Sequence, residues 1–468
     1  MAERIEVRNK ILLVATLAAF LSPFMGSSLN LAIPAIGQDL DGNAIMINWI
    51  ITAFLLVSAA FLLPFGRLAD MRGRKIIFVS GVGVFGTASL LCGAANSMMF
   101  LLLARIVQGL GATMMFSTSM ALVTAAFPPQ DRGRVLGLNV AAVYVGLSVG
   151  PALGGFVTQH LGWRSIFYLV AFLSILVAWA SYKWLPNDRH RAENEEYDLL
   201  GAGLIVASLM ALIYGASTLH TVSVGPVLAI LGTIGIGGFV WQELRAPNPI
   251  LDIKNLISNT TFIMSNLAAL INFSATYSIV YLLSLYLQVI RGFSAQAAGF
   301  ILLIQPVLMA IVSPYAGRLS DRFEPQIVAS IGMSLTAVGL AVLVTIDYNT
   351  SIWLIAGVLL LQGLGFALFG SPNMNAVMSS VDRRFYGVAS STTGTMRLVG
   401  QALSMALVSF IFAANLGDAK ITSAIAPELL SSSKMAFGIF TVLCFAGVFA
   451  SLSRGKVHTR ETPPSESH

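Results

Sequence analysis

The sequence predicts an all-α polytopic membrane protein with fourteen transmembrane helices arranged as six, two and six. Three observations carry that expectation. Of 468 residues, 56% are hydrophobic and only 10% charged, whereas an average soluble domain carries roughly 25% charged residues. The apolar residues gather in long runs, and a helix crossing about 30 Å of hydrocarbon needs roughly 20 of them. Finally, short motifs of the first third of the chain recur in the last third. A disordered chain would have the opposite composition. A disulfide scaffold would need more than the 2 cysteines present, and a membrane β-barrel would show roughly 10-residue alternating segments.

Taken in order, the runs lie at 11–36, 48–66, 76–96, 99–120, 134–159, 164–184, 199–218, 222–242, 262–288, 295–316, 327–346, 351–371, 388–413 and 434–453. The first follows a basic patch, Arg4, Arg8 and Lys10, but is too long for a signal-peptide core. The seventh and eighth are parted only by a short polar stretch, 220–223. The expected organisation is a six-helix half at 1–185, a charged linker at 186–198, two inserted helices at 199–243, a second six-helix half at 244–453 and a tail at 454–468.

An even number of spans places both termini on one side. That side collects 21 of the 27 Lys and Arg residues. The other side has four, Arg164, Arg291, Lys420 and Lys434, and Arg105 and Arg397 fall inside spans. Positive residues stay cytoplasmic, so cytoplasmic termini in a prokaryotic-type cell membrane are expected. The basic excess is then topology, with no nucleic-acid partner. The 5 histidines are scattered over loops and tails, so neither metal nor cofactor is expected.

Gly66-Arg-Leu-Ala-Asp70-Met-Arg-Gly-Arg74-Lys75 follows span two, and Gly317-Arg318-Leu-Ser-Asp321 follows span ten, 251 residues later. Gln108-Gly-Leu-Gly111 recurs as Gln362-Gly-Leu-Gly365, and Asp131-Arg132 recurs as Asp382-Arg383. Parallel six-helix repeats are the build of transporters that rock around a midplane site. The same residues resemble motifs of the major facilitator superfamily: Gly66 to Lys75 its loop motif, Arg105-x-x-Gln108-Gly109 its fourth-helix motif. Gly146-x-x-x-Gly150-Pro151-x-x-Gly154 is similar to its exporter-associated fifth-helix motif. With the inserted pair, the chain looks like the fourteen-helix drug:proton antiporter branch. That resemblance implies the major facilitator fold and an exporter of multidrug type, not an enzyme.

Each motif has a physical reading. Gly66 permits close backbone approach, and Asp70 can accept hydrogen bonds from Arg74 or from helix-end amides. Gly66, Asp70, Arg74, Arg318 and Asp321 are therefore expected to form a gating latch, or else plain turn caps. Gly146, Gly150 and Gly154 share one helix face and, with Pro151, make a close-packed seal or hinge. Arg105 costs roughly 2.5–3.5 kcal/mol at a helix centre, so it should face a watery cavity or clamp backbone carbonyls. Arg105 and Gln108 share a face. Tyr277, Tyr281, Ser284 and Gln288 form one polar-aromatic stripe in span nine, and Asn266, Asn272, Asn373 and Asn375 add polar groups. The candidate cavity set is Met25, Asn30, Arg105, Gln108, Tyr277, Tyr281, Ser284, Gln288 and Asn373. Arg397 sits nearer a span end, from which it could snorkel.

The resemblance also implies an acidic residue in the first helix, where Met25 stands in Met25-Gly-Ser-Ser-Leu-Asn30-Leu-Ala-Ile-Pro34. No Asp, Glu or His falls near the middle of any expected span. Proton coupling would then rest on Asp39, Asp41 or Asp70. The alternative is export or facilitated movement of a neutral or anionic metabolite without strong proton coupling. The expected partners are a small-molecule substrate, the lipid bilayer and, as one candidate, protons, with the chain acting as a monomer.

Overall fold

The computed structural model describes residues 2–127, 129–186, 196–219, 222–251, 253–256, 259–381, 386–417 and 419–455. The Asp382–Arg383 half of the third repeat lies outside them. The side chains of Asp131, Arg132 and Asp321 are likewise outside the description.

Among the described residues, fourteen helices are long and apolar enough to cross a membrane. They are α1 (Ala2–Asp39), α2 (Ala44–Arg72), α3 (Arg74–Gly93), α4 (Met98–Ala126), α5 (Pro129–Leu161), α6 (Arg164–Trp184), α7 (Leu199–Ser217) and α8 (Gly225–Glu243). Then follow α9 (Thr260–Ile290) and α10 (Ala295–Ser320), and α11 (Pro325–Leu343), α12 (Ile352–Ser379), α13 (Tyr386–Asn415) and α14 (Ala426–Leu452). Polar residues in the turns start them. Asn43 accepts the Met46 N–H at 2.8 Å, Ser97 that of Phe100 at 3.3 Å, and Ser294 that of Ala297 at 3.2 Å. Each satisfies a backbone donor that the first helical turn leaves open.

Three elements differ from expectation. Helix α14 starts at Ala426 with Pro427 in its first turn, so Lys434 lies inside the helix rather than in the preceding loop. Its charge still acts on Asp347 in the α11–α12 turn. Helix α12 continues through Pro372 to Ser379. Helix α9 keeps helical backbone angles through Tyr277 and ends in a π-helical segment, Tyr286–Ile290.

The internal repeat is written into the packing. A Cβ on Gly111 would stand 2.9 Å from the Gly81 carbonyl oxygen, and one on Gly365 would stand 2.8 Å from that of Gly332. A Cβ on Gly109 would stand 2.8 Å from the Phe54 oxygen, and one on Gly363 would stand 2.6 Å from that of Gln305. Gly146 meets Phe20 O of α1 as Gly400 meets Leu270 O of α9. Both six-helix sets therefore close on themselves through the same backbone approaches. Helix α7 packs on α8, α2 and α13, while α2 meets α13 and α5 meets α10 between the sets.

Candidate functional site

With fourteen spans in series, the start of α1 and the end of α14 fall on one side of the bundle, called here the terminal side; the other is the far side. Arg105 in α4 is buried. Its Nε donates to the Ile50 carbonyl of α2 at 3.0 Å, a terminal nitrogen donates to Gln108 Oε1, and the guanidinium lies 4.3 Å over the Phe54 ring. Gln108 Nε2 passes the chain to Ser89 Oγ of α3 at 2.7 Å. Arg105 thus ties α2, α3 and α4 together within its own half, the carbonyl-clamp arrangement, and interacts electrostatically with Tyr277 across the halves. The second half keeps the amide, as Gln362 Nε2 donates to Thr336 O at 3.1 Å, and fills the arginine position with buried Leu359.

The expected stripe on α9 divides. Tyr277 faces Arg105, whereas Tyr281 turns to Phe412 of its own half with ring centroids 6.4 Å apart. Ser284 donates to the Asn30 carbonyl of α1 at 2.7 Å, and Gln288 donates to Ser284 at 2.9 Å. Tyr277 keeps helical backbone angles (φ −62°, ψ −40°), so the division comes from what meets each residue, α4 at Tyr277, α13 at Tyr281 and α1 at Ser284. Met25 is buried in the core of the first half. Asn266 is taken up by Thr393 and Asn375 by Ser320. By contrast, both polar atoms of Asn272, Tyr281 Oη, Gln362 Oε1 and Asn373 Oδ1 are buried without a hydrogen-bond partner among the described residues.

The glycine face of α5 lies on α1. A Cβ on Gly146 would stand 2.7 Å from Phe20 O, one on Gly154 would stand 2.6 Å from Ser28 Cα, and one on Gly150 would overlap Ser27 Oγ. Ser27 and Ser28 donate to the carbonyls of Gly146 and Gly150 at 3.2 and 3.0 Å. Across the halves, Pro151 presents its carbonyl to Gly299 of α10, and Gly155 meets the Ala295 carbonyl. The α5 motif therefore packs closely against both halves, and Gly155 and Gly299 belong to the same contacts.

Around the loop motif, Arg74 binds Asp70 Oδ1 through Nη2 at 2.9 Å and Nε at 3.1 Å, and reaches the Ala121 carbonyl at 3.4 Å. This pair stays within its half. The close approach expected at Gly66 is absent, since a Cβ there would meet Ser117 Cβ at an ordinary 3.8 Å. The conformationally demanding residue is Gly73, whose φ of 103° lets α2 turn into α3. Gly317 lies against Ser371, and Arg318 is exposed.

All three candidate coupling carboxylates are in ion pairs. Asp39 takes Arg164 at 2.5 Å and Trp163 Nε1 at 3.2 Å, Asp70 takes Arg74, and Asp41 takes Lys420 at 2.5 Å. The Asp41 pair alone of these crosses the halves. It sits beside an antiparallel bridge between Asn43 and Lys420, in which Ala44 N donates to Ala419 O at 3.0 Å. Asn48 donates to Ser409 and to the Met405 carbonyl, and Gln296 N donates to Gln159 at 3.2 Å. These far-side clasps join residues far apart in sequence, and no motif announces them. Deeper toward the terminal side, Arg397 lies 5.9 Å over the Phe116 ring of α4 and interacts with Tyr144. It therefore points across the halves, not outward to snorkel.

Two repeated six-helix bundles, clasped to each other at the α1–α2 and α13–α14 turns and holding buried polar groups in their helices, are the build of a secondary transporter. The chain belongs to the Major Facilitator Superfamily, whose model matches residues 15–405 and again 265–468. It is 28% identical to the riboflavin transporter RibZ of Clostridioides difficile over 94% of this chain and 96% of that one. It is 30% identical to the multidrug resistance protein Stp of Mycobacterium tuberculosis, over 87% of this chain and 77% of that one. Identity to the puromycin resistance protein pur8 of Streptomyces alboniger is also 30%, over 85% and 81%. Among solved structures, a bacterial homologue of the human lysosomal transporter Spinster superposes with a TM-score of 0.71 at 16% identity, covering 98% of this chain and 99% of that one. At that identity the likeness shows the fold alone.

Proposed function

We propose that this transporter exports amphipathic small molecules by alternating access, with the terminal side cytoplasmic. The 21 basic residues of that side support the orientation. On this orientation the far-side clasps hold the external gate shut. The observation that carries the substrate reading is the set left without a hydrogen-bond partner among the described residues, Asn272 and Tyr281 in α9 and Gln362 and Asn373 in α12. Buried polar groups are nearly always paired. A neutral set left open suits a ligand that comes and goes and that is largely apolar with a few hydrogen-bonding groups. The exporter-type glycine seal and the similarity to multidrug resistance proteins point the same way.

A second reading, movement of a neutral or anionic metabolite, is favoured by Arg397 and by the absence of any Asp or Glu at mid-span in the sequence. A thermal-shift screen of the purified protein against cationic, neutral and anionic amphiphiles separates the readings. Stabilisation by several unrelated amphiphiles supports multidrug export, and by one neutral or anionic compound class, the second reading. Stabilisation by lipophilic cations alone contradicts the emphasis on neutral groups and Arg397.

A further inference from the structure

The face of α13 that looks across to the first half carries a cation with no acidic partner among the described residues. Arg397 is the sole charged residue of α13. One turn before it, Gly394 meets α2, and an added Cβ there would stand 3.5 Å from Leu62. Arg397 is half-buried, its guanidinium 5.9 Å over the half-buried Phe116 ring of α4 and interacting with Tyr144 of α5. Tyr144 Oη lies 4.0 Å from where a Cβ on Gly370 of α12 would stand. Helices of both halves thus meet around this one side chain. About three turns further along α13, Ser409 is already in the far-side clasp with Asn48. The half-buried surface at Arg397 is therefore reached from the terminal side.

The two arginines within spans are used differently. Arg105 donates to a backbone carbonyl and to Gln108 within its own half. Arg397 makes no hydrogen bond or ion pair among the described residues; its neighbours are an aromatic ring and a phenol. No Asp or Glu lies at mid-span in any helix around it. A guanidinium drawn out of water is costly unless it is paired. Its planar fork of N–H donors matches a carboxylate bidentately. Apolar surface for the rest of a ligand is at hand. One turn along α13 from Arg397, a Cβ on Gly400 would stand 3.0 Å from Phe273 Cβ, and the Phe273 ring lies 6.4 Å from that of Phe366 in α12.

We propose that Arg397 receives the acidic group of the exported molecule, a carboxylate held by the guanidinium while the apolar body lies on these aromatic rings. The proposal rests on the export reading and narrows its substrate class to acidic amphiphiles. Helices without a mid-span Asp or Glu suit such a cargo, because a fixed carboxylate would repel it. The same fixed charge makes Arg397 a specificity-determining residue, since it disfavours a lipophilic cation of equal size.

Binding of three probes with one apolar body tests this: pyrenebutyrate, pyrenebutyramide and pyrenebutylamine. They are titrated at neutral pH into the full-length protein in nanodiscs, with protein-free nanodiscs as the blank. The wild type is expected to bind the carboxylate most tightly and the amine least. In Arg397→Gln the carboxylate should lose about tenfold or more, the range of a hydrogen bond to a charged group, while the amide keeps its affinity. The unchanged amide reports an intact cavity, which a merely structural role for Arg397 would not leave. Binding of the probes without a preference for the carboxylate, or a preference that Arg397→Gln retains, overturns the proposal and leaves the export reading standing. Failure of all three to bind the wild type contradicts the export reading and removes the proposal with it. Should Arg397→Gln not fold, Arg397→Met takes its place, a retained preference overturning the proposal in the same way.

Discussion

A methyl group added at Gly150 would overlap Ser27 Oγ of α1, and the neighbouring Phe24 carbonyl oxygen would be 3.1 Å away. Backbone cannot give way as a flexible side chain can. Gly150→Ala is therefore expected to destabilise the folded transporter by about 1–3 kcal/mol, the usual cost of overpacking. Gly66→Ala is expected to be neutral or mildly stabilising, because its new methyl meets only ordinary contact inside a helix. Thermal unfolding in detergent checks both. Arg105→Leu should also destabilise, since it strips donors from the Ile50 carbonyl and Gln108 Oε1 at about 1–3 kcal/mol each. A midpoint unchanged from wild type would show that the clamp contributes nothing. The glycine spacing of α5 was legible in the sequence because period four places all three residues on one face. Which glycine of the loop motif is obligatory was not. That depends on a backbone angle at Gly73, not on the spacing of the motif.

The spans were legible element by element because their length is set by the bilayer and their ends by turn residues. The exceptions have local causes. Pro427 opens α14 a full two turns before the densest apolar run, and the π-helical end of α9 leaves no compositional trace. Glu243 reads in sequence as one more charge beside a cytoplasmic turn. Its burial follows from the fold of the chain after α8, where Leu251 returns to cap it. At this scale the clasp between the α1–α2 and α13–α14 turns is open to test. The Asp41–Lys420 pair is exposed, so it is worth about 0–1 kcal/mol. Asp41→Asn should therefore shift the balance toward the externally open form by no more than about fivefold, and added salt should produce the same shift in the wild type. Double electron–electron resonance between spin labels on the far-side ends of the two halves would read the two populations. A distance distribution that Asp41→Asn leaves unmoved would assign the clasp to the backbone bridge alone.

For the whole molecule, the repeat means that each half is closed by its own glycine contacts. On the proposed alternating access, the far-side bonds between halves are what one transport state must break. Six-helix repeats and the inserted pair could be read from recurring motifs, but the conformation could not, because it is set by contacts such as Asn43 with Lys420. Those two residues face each other in an antiparallel bridge, where Cα atoms are about 4.5–5.5 Å apart, within the range a disulfide spans. Cys92 and Cys444 are both buried, so they offer little competition. The most direct measurement is transport of an amphipathic substrate by the Asn43→Cys/Lys420→Cys protein in proteoliposomes, oxidised and then reduced. Alternating access by separation of these turns is expected to stop on oxidation and resume on reduction. Transport by the fully cross-linked protein at the reduced rate would contradict it.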